Sequence, residues 1–258
     1  MDTAPTIKIA PNNSAFHILA ADIFMAALNR AADRTAAQNG PIRVVLPTGS
    51  TPLGLYRELI AHHADRRDLW DRVHYVALDD YAGLTPDDRR LFSNWLDRDI
   101  LAPLSIPSSH RTIFNSAAPD PSAECARMDA LLDQGGIDIA VLGLGTNGHI
   151  GFNEPGSAFD AHTRLIHLSA DSLAANAAYW GGLDHVPHTA YTLGLGHIMQ
   201  ARETILLVQG SHKADILQRM LHDPVSPALP ATALRRIRNV TIIADQAAMS
   251  AAEPFPRT

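Results

Sequence analysis

The chain of 258 residues reads as an α/β protein: a single domain on one Rossmann-like, mostly parallel sheet with helices on both faces. Three observations lead to this class. Short β-branched or aliphatic runs recur along the chain, helix-periodic stretches alternate with them, and Gly, Pro, Asp or Asn bounds the runs. The runs are apolar throughout rather than alternating, as expected of strands buried on both sides in a parallel sheet.

The elements follow in order. Thr6–Ala10 is the first run, and Ala15–Ala37 is an alanine-rich helix with Leu19, Ile23 and Leu28 near one face. Ile42–Leu46 is the second strand, leading into a helix over Thr51–Ala64 with Leu55, Leu59 and Ile60 at helical spacing. Val73–Leu78 and Ile137–Leu142 are the third and fourth strands. Thr204–Val208 is the fifth, followed by a helix over Ser211–Leu221, and Val240–Ala244 is the sixth. No Pro/Gly/Ser-rich linker divides the chain, so residues 1–258 read as one domain. The stretch Asn153–His188 is poorest in strand signal and is expected to be a mobile lid at about 153–188.

Composition removes several function classes. With 46% hydrophobic and 19% charged residues the chain can bury a core, and a net charge of −6 lacks the basic excess of a nucleic-acid surface. The single cysteine, Cys125, can form neither an internal disulfide nor a cysteine cage, which suits a reducing cytoplasm. Asp2 and the breaks at Pro5, Pro11 and Asn12 do not read as a secretory leader. The apolar stretch Ala15–Leu28 is too short and polar to span a bilayer. No membrane or nucleic-acid partner is expected.

Ligands of α/β sheets bind at the carboxyl ends of the strands, so the chemistry is sought in the loops that follow them. In Pro47-Thr48-Gly49-Ser50-Thr51-Pro52, Thr51 reads as a helix N-cap and Pro52 as the first helical residue. Gly49, Ser50 and Thr51 would offer N–H and hydroxyl groups to an anion there; an ordinary capped turn is the plainer alternative. In Gly210-Ser211-His212-Lys213, Ser211 reads as a cap that places Lys213 in the first turn, where only a bound anion offsets the dipole penalty. Two such loops in one sheet point to a phosphorylated ligand. After Val73–Leu78 come Asp79 and Asp80, suited to proton transfer if one is desolvated, while Asp80 can equally cap the loop. The most specific loop is Gly143-Leu144-Gly145-Thr146-Asn147-Gly148-His149-Ile150-Gly151-Phe152-Asn153-Glu154-Pro155. Here His149 is a proton carrier for neutral pH, which Asn147 and Glu154 can orient. Asp184, His185 and His188 suggest a metal but lack a matching ligand cluster, so no metal is expected. Cys125 reads as buried, and Tyr179 and Trp180 as packing residues.

Together LPTGSTP, LDDYAGL, LGLGTNGHIGFNEPG and GSHKA resemble the glucosamine-6-phosphate deaminase/isomerase family, over about Ile42 to Ala244. The related 6-phosphogluconolactonases share a Gly-His element, but the Phe-Asn-Glu-Pro continuation points to the deaminase branch. The resemblance implies a cytoplasmic enzyme of amino-sugar metabolism, classed among hydrolases as well as deaminases and isomerases. It further implies no cofactor and leaves room for a homo-oligomer. Glucosamine 6-phosphate would become fructose 6-phosphate and ammonia. Asp79 would be the C2-to-C1 base and His149 the ring-opening acid/base, supported by Asn147 and Glu154. Gly49, Ser50, Thr51 and Lys213 would bind substrate phosphate.

Two departures stand out. Ala178 occupies the position of a family arginine that binds phosphate, with His185 and His188 as the nearest basic replacements. Ile166 stands where allosterically activated members carry a lysine, although Arg164 is retained. The motifs do not read the C4 configuration, so galactosamine 6-phosphate is an alternative substrate. A 6-phosphogluconolactonase and a non-catalytic sugar-phosphate sensor are further alternatives, the second disfavoured by the joint presence of Asp79, His149 and Glu154.

Overall fold

The computed structural model describes residues 4–35 and 40–251. Its main sheet has seven strands: β1 (Thr6–Ala10), β2 (Ile42–Leu46), β3 (Val73–Ala77), β5 (Arg111–Thr112), β6 (Ile139–Gly143), β9 (Glu203–Val208) and β10 (Val240–Asp245). They lie in the order β1-β10-β9-β6-β2-β3-β5, with every neighbouring pair parallel. All six expected strands are present. The two-residue edge strand β5 is too short and polar to leave an apolar run.

The second sheet was not anticipated. It is built from β4 (Asp79–Tyr81), β7 (Arg164–His167) and β8 (Thr189–Thr192), antiparallel in the order β4-β8-β7. So the stretch 153–188 contains a strand and the helix Ala170–Trp180. Strand β7 is half-exposed and carries two basic residues, which hides it from a search for apolar runs. A separate small core holds this region together. Tyr81, Phe92, Trp95 and Phe152 are buried there, with Trp180 and Ile166 packed against them. The Tyr81 and Phe92 rings lie 4.7 Å apart, and Trp180 Nε1 donates to the Tyr81 hydroxyl at 3.1 Å.

The long helix Asn13–Thr35 has the length and mean hydropathy of a membrane span. Its apolar face instead buries Phe16, Ala20, Phe24, Ala27, Leu28 and Ala31 in the main core, against β1, β2, β6, β9 and β10. Alanines let the helix lie close to the sheet. The expected end of this helix at Ala36 and Ala37 lies outside the described residues.

Two helix starts differ from expectation. The second helix runs Leu53–Ala61 behind Pro52, and Thr51 makes no capping hydrogen bond. Ser211–Lys213 forms a 3-10 turn before the helix Ala214–His222, so Ser211 is not its cap and Lys213 precedes its first turn. In both loops the hydroxyl groups are thereby released from capping.

The path of the chain positions the site. From β2 the sheet grows outward to β3 and β5, then the chain returns to β6 on the other side of β2 and continues to β9 and β10. A crevice opens at such a reversal, above the carboxyl ends of the strands.

Candidate active site

A cleft of about 260 Å³ occupies this crevice. The loops after β2, β3, β6 and β9 build it, and Gly49, Ser50, Thr51, Asp79, His149 and Lys213 all line it. Asn147 and Glu154 stand behind His149 rather than on the wall.

Asp79 begins β4, and its backbone pairs with Thr192. Asp79 is 8% exposed, and its carboxylate accepts no hydrogen bond among the described residues. Burial, and secondarily the charge of Asp80, push its carboxyl up to about 8. Asp80 is fully buried but accepts from the backbone N–H of Tyr81, Phe92 and Ser93 at 2.8, 2.7 and 3.0 Å. The Ser93 hydroxyl and those N–H donors partly offset its burial, leaving it at about 6. The adjacent carboxylates therefore differ: Asp80 holds the start of the helix Phe92–Leu96, and Asp79 faces the cleft without a hydrogen-bond donor.

The His149 loop is shaped around its ring. A Cβ at Gly145 would lie 2.4 Å from the imidazole Cδ2, so only glycine lets the backbone pass beneath it. Asn147 Oδ1 accepts from the His149 N–H at 3.1 Å, and Asn147 Nδ2 donates to Glu154 Oε2 at 2.8 Å. His149 Nδ1 has no hydrogen-bond partner and lies 3.7 Å from Glu154 Oε2, an ion-pair distance. Glu154 Oε1 accepts from the Ser172 hydroxyl. Burial alone would raise the Glu154 carboxyl, but His149, Ser172 and Asn147 outweigh it and hold the group at about 2. A permanent negative charge thus faces the histidine. Buried Asn153 anchors the whole turn, donating to the Ile150 and Leu193 carbonyls at 2.9 and 2.8 Å and accepting from Arg164 at 2.8 Å.

Other residues of the cleft lining suit an anion. The N–H groups of Gly49, Ser50 and Thr51 are engaged by no hydrogen bond among the described residues. Lys213 makes no ion pair among them, and burial pushes its ammonium down. A desolvated cation and free N–H donors lining one cleft favour a negatively charged ligand. Tyr56 steadies the first loop, donating to the Pro47 carbonyl at 2.5 Å.

Three residues of the site escaped the sequence reading. Ser172 holds Glu154 from a helix far along the chain, a pairing no local motif announces. Tyr179, expected only to pack, lines the cleft with its hydroxyl beside Gly49 while its ring meets Trp95 edge-on at 5.0 Å. His212 also lines the cleft, whereas Ala178, His185 and His188 do not. Besides His149, the basic side chains on the cleft wall are therefore His212 and Lys213, from the loop after β9, and not the histidines of the 181–188 loop.

Comparison with known proteins identifies the family. The profile of the family of glucosamine-6-phosphate isomerases and 6-phosphogluconolactonases matches residues 18–243. The glucosamine-6-phosphate deaminase of Geobacillus sp. is 40% identical over 206 residues, 80% of this chain and 82% of its own. That of Bacillus pumilus is 38% identical over 218 residues, covering 84% and 90%. Among solved structures, a monomeric glucosamine-6-phosphate deaminase superposes with a TM-score of 0.88 at 33% identity, over 95% of this chain and 99% of its own. The 6-phosphogluconolactonase of Leishmania guyanensis reaches 0.75 at 22% identity, covering 97% and 100%, which shows a shared fold alone. The assignment to hydrolases is thereby corrected: the relatives close in sequence are deaminases, and the hydrolytic lactonase is near in fold only. With the match spanning most of its length, the chain is an enzyme of the glucosamine-6-phosphate isomerase/6-phosphogluconolactonase family.

Proposed function

We propose that this enzyme converts glucosamine 6-phosphate to fructose 6-phosphate and ammonia. One observation carries the reading: a buried carboxylate without a hydrogen-bond donor, Asp79, shares a cleft with a carboxylate-backed histidine and an anion pocket. A lactonase has no use for a base at C2, whereas an aldose-to-ketose conversion requires one.

Each group has a task. The phosphate lies among the Gly49–Thr51 N–H groups and Lys213, which sets the sugar's direction in the cleft. His149 protonates the ring oxygen as the anomeric hydroxyl loses its proton, and Glu154 stabilises the imidazolium formed in that exchange. Asp79 then takes the C2 proton of the open-chain aldehyde and returns it to C1, leaving an imine at C2. Water adds to the imine, and the resulting carbinolamine expels ammonia.

Asp79 is a strong base because its carboxylate is desolvated, and for the same reason it is protonated in much of the free enzyme at neutral pH. The logarithm of kcat/KM is expected to climb as pH rises toward about 8 and to level above it. A profile already flat from pH 6 would assign the base elsewhere.

The deciding assay measures ammonia release from glucosamine 6-phosphate, galactosamine 6-phosphate and, as a control, hydrolysis of 6-phosphogluconolactone. Turnover of the gluco epimer above the other two is the expected result, and lactone hydrolysis without ammonia release would overturn it. Lys213→Ala is expected to raise KM about 10–100-fold with kcat little changed, the effect of one charge-assisted bond to phosphate. His212→Ala should raise it less. A fall in kcat at constant KM would place Lys213 at the reacting carbons instead.

Mass measurement in solution tests the homo-oligomer that the resemblance leaves room for. The lid over 153–188 belongs to the same proposal, since Ser172 and Tyr179 lie on its helix. Substrate binding should slow amide exchange there. A cytoplasmic location likewise remains part of it.

A further inference from the structure

Away from the cleft, three elements bring Asp129, His162 and His197 together, with one ligand atom from each lying within 4.8 Å of the others. Asp129 sits on the helix Pro121–Gly135, His162 just before β7, and His197 on the turn of helix Leu195–Ile198. None of the three lines the cleft. The elements are pressed together: a Cβ at Gly194 would fall 1.8 Å from the Ala161 carbonyl oxygen, and the Gly196 N–H donates to that same oxygen at 3.0 Å.

His197 is 7% exposed, and its Nδ1 has no hydrogen-bond partner. Its other nitrogen, Nε2, lies 3.0 Å from Asp133 Oδ1. An ionised carboxylate only accepts, so Nε2 carries a proton; in the ring that bears only that proton, Nδ1 presents a lone pair. That lone pair lies 3.3 Å from Asp129 Oδ1. Two acceptors so close repel unless a cation stands between them. The second carboxylate oxygen, Asp129 Oδ2, lies 3.2 Å from His162 Nδ1, and the Thr163 N–H steadies Oδ1 at 3.1 Å. Around a tetrahedral zinc ion with bonds of about 2.0–2.1 Å, neighbouring ligand atoms lie about 3.3–3.4 Å apart. The separation of Asp129 Oδ1 from His197 Nδ1 matches that edge, while His162 Nδ1 faces the other oxygen of the same carboxylate.

We propose that Asp129, His162 and His197 form a binding site for a divalent transition-metal ion, with Asp133 orienting His197. Two imidazoles and one carboxylate favour Zn²⁺ and chemically similar ions over Mg²⁺ or Ca²⁺. Asp133 plays the part that a carboxylate commonly plays behind a metal-bound histidine. His162 is mostly exposed, which leaves the fourth position open to water. The bound ion fastens the start of β7, and so the small sheet, to the main body. This inference is independent of the substrate assignment.

The test uses the full chain stripped with a chelator, titrated with Zn²⁺ by calorimetry and with Co²⁺ by visible absorption. One ion per chain is expected, with the intense Co²⁺ absorption of a tetrahedral site. His162→Ala alters an exposed side chain and should fold normally, yet weaken binding at least about tenfold. Asp133→Asn should weaken it about 10–100-fold. A control with His185→Ala and His188→Ala should bind as the parent does. No saturable binding, binding unchanged in His162→Ala, or binding lost in the control would each overturn the proposal. So would His197 held as an imidazolium between Asp129 and Asp133, seen by NMR as two ring protons that Zn²⁺ does not displace.

Discussion

Asp79→Asn should lower kcat by about 10²–10⁴-fold while KM or inhibitor affinity changes little, because the substituted group moves protons but does not hold phosphate. The same variant should be more stable than the parent. Burial raises the Asp79 carboxyl from 3.8 to about 8, so between those values the folded protein binds more protons than the unfolded one. Stability contributed at this position therefore falls as pH rises through that window. An amide of the same shape carries no charge to desolvate, and the gain at pH 8 should exceed about 1 kcal/mol, or roughly 2–4 °C in Tm for a domain of this size. Thermal melts at pH 5 and pH 8 check the sign, since the advantage of the amide variant must shrink at the lower pH. Turnover above about a tenth of the parent's, given the usual size of base catalysis, would remove Asp79 from the role.

His149→Gln should also lose about 10²–10⁴-fold, but only where a ring must open. A 5-deoxy analogue, which cannot close the pyranose, bypasses that step and should be processed by the variant at a rate much nearer the parent's. Equal losses on the cyclic substrate and on the analogue would contradict the assignment. Glu154→Gln should show the same selectivity in weaker form, because Asn147 still holds the His149 backbone while the charge facing Nδ1 is gone.

The two predictions rest on residues that differ in how they could be recognised. His149 lies in a run whose glycines and polar neighbours are contiguous, so its partners Asn147 and Glu154 are visible within seven residues. Asp79 and Asp80 are adjacent and chemically identical in the chain. Only the three N–H groups converging on Asp80, two of them from residues 92 and 93, tell the carboxylate that holds the backbone from the one left without donors in the cleft.

What the sequence by itself determined is whatever local chemistry controls. Uniformly apolar runs dictate buried parallel strands, and glycine-rich turns after them build the cleft at the strand ends, since both follow from residues within a few positions of one another. The tertiary structure decided whatever depends on contacts between distant segments. Half-exposed β7 becomes a strand only by pairing with β8. Ser172 reaches Glu154 across 18 positions of chain, and His212 rather than His185 joins the cleft wall. Asp129, His162 and His197 meet only because three elements pack together. Burial of a charge and convergence of donors are properties of the packed molecule, and no spacing along the chain encodes them.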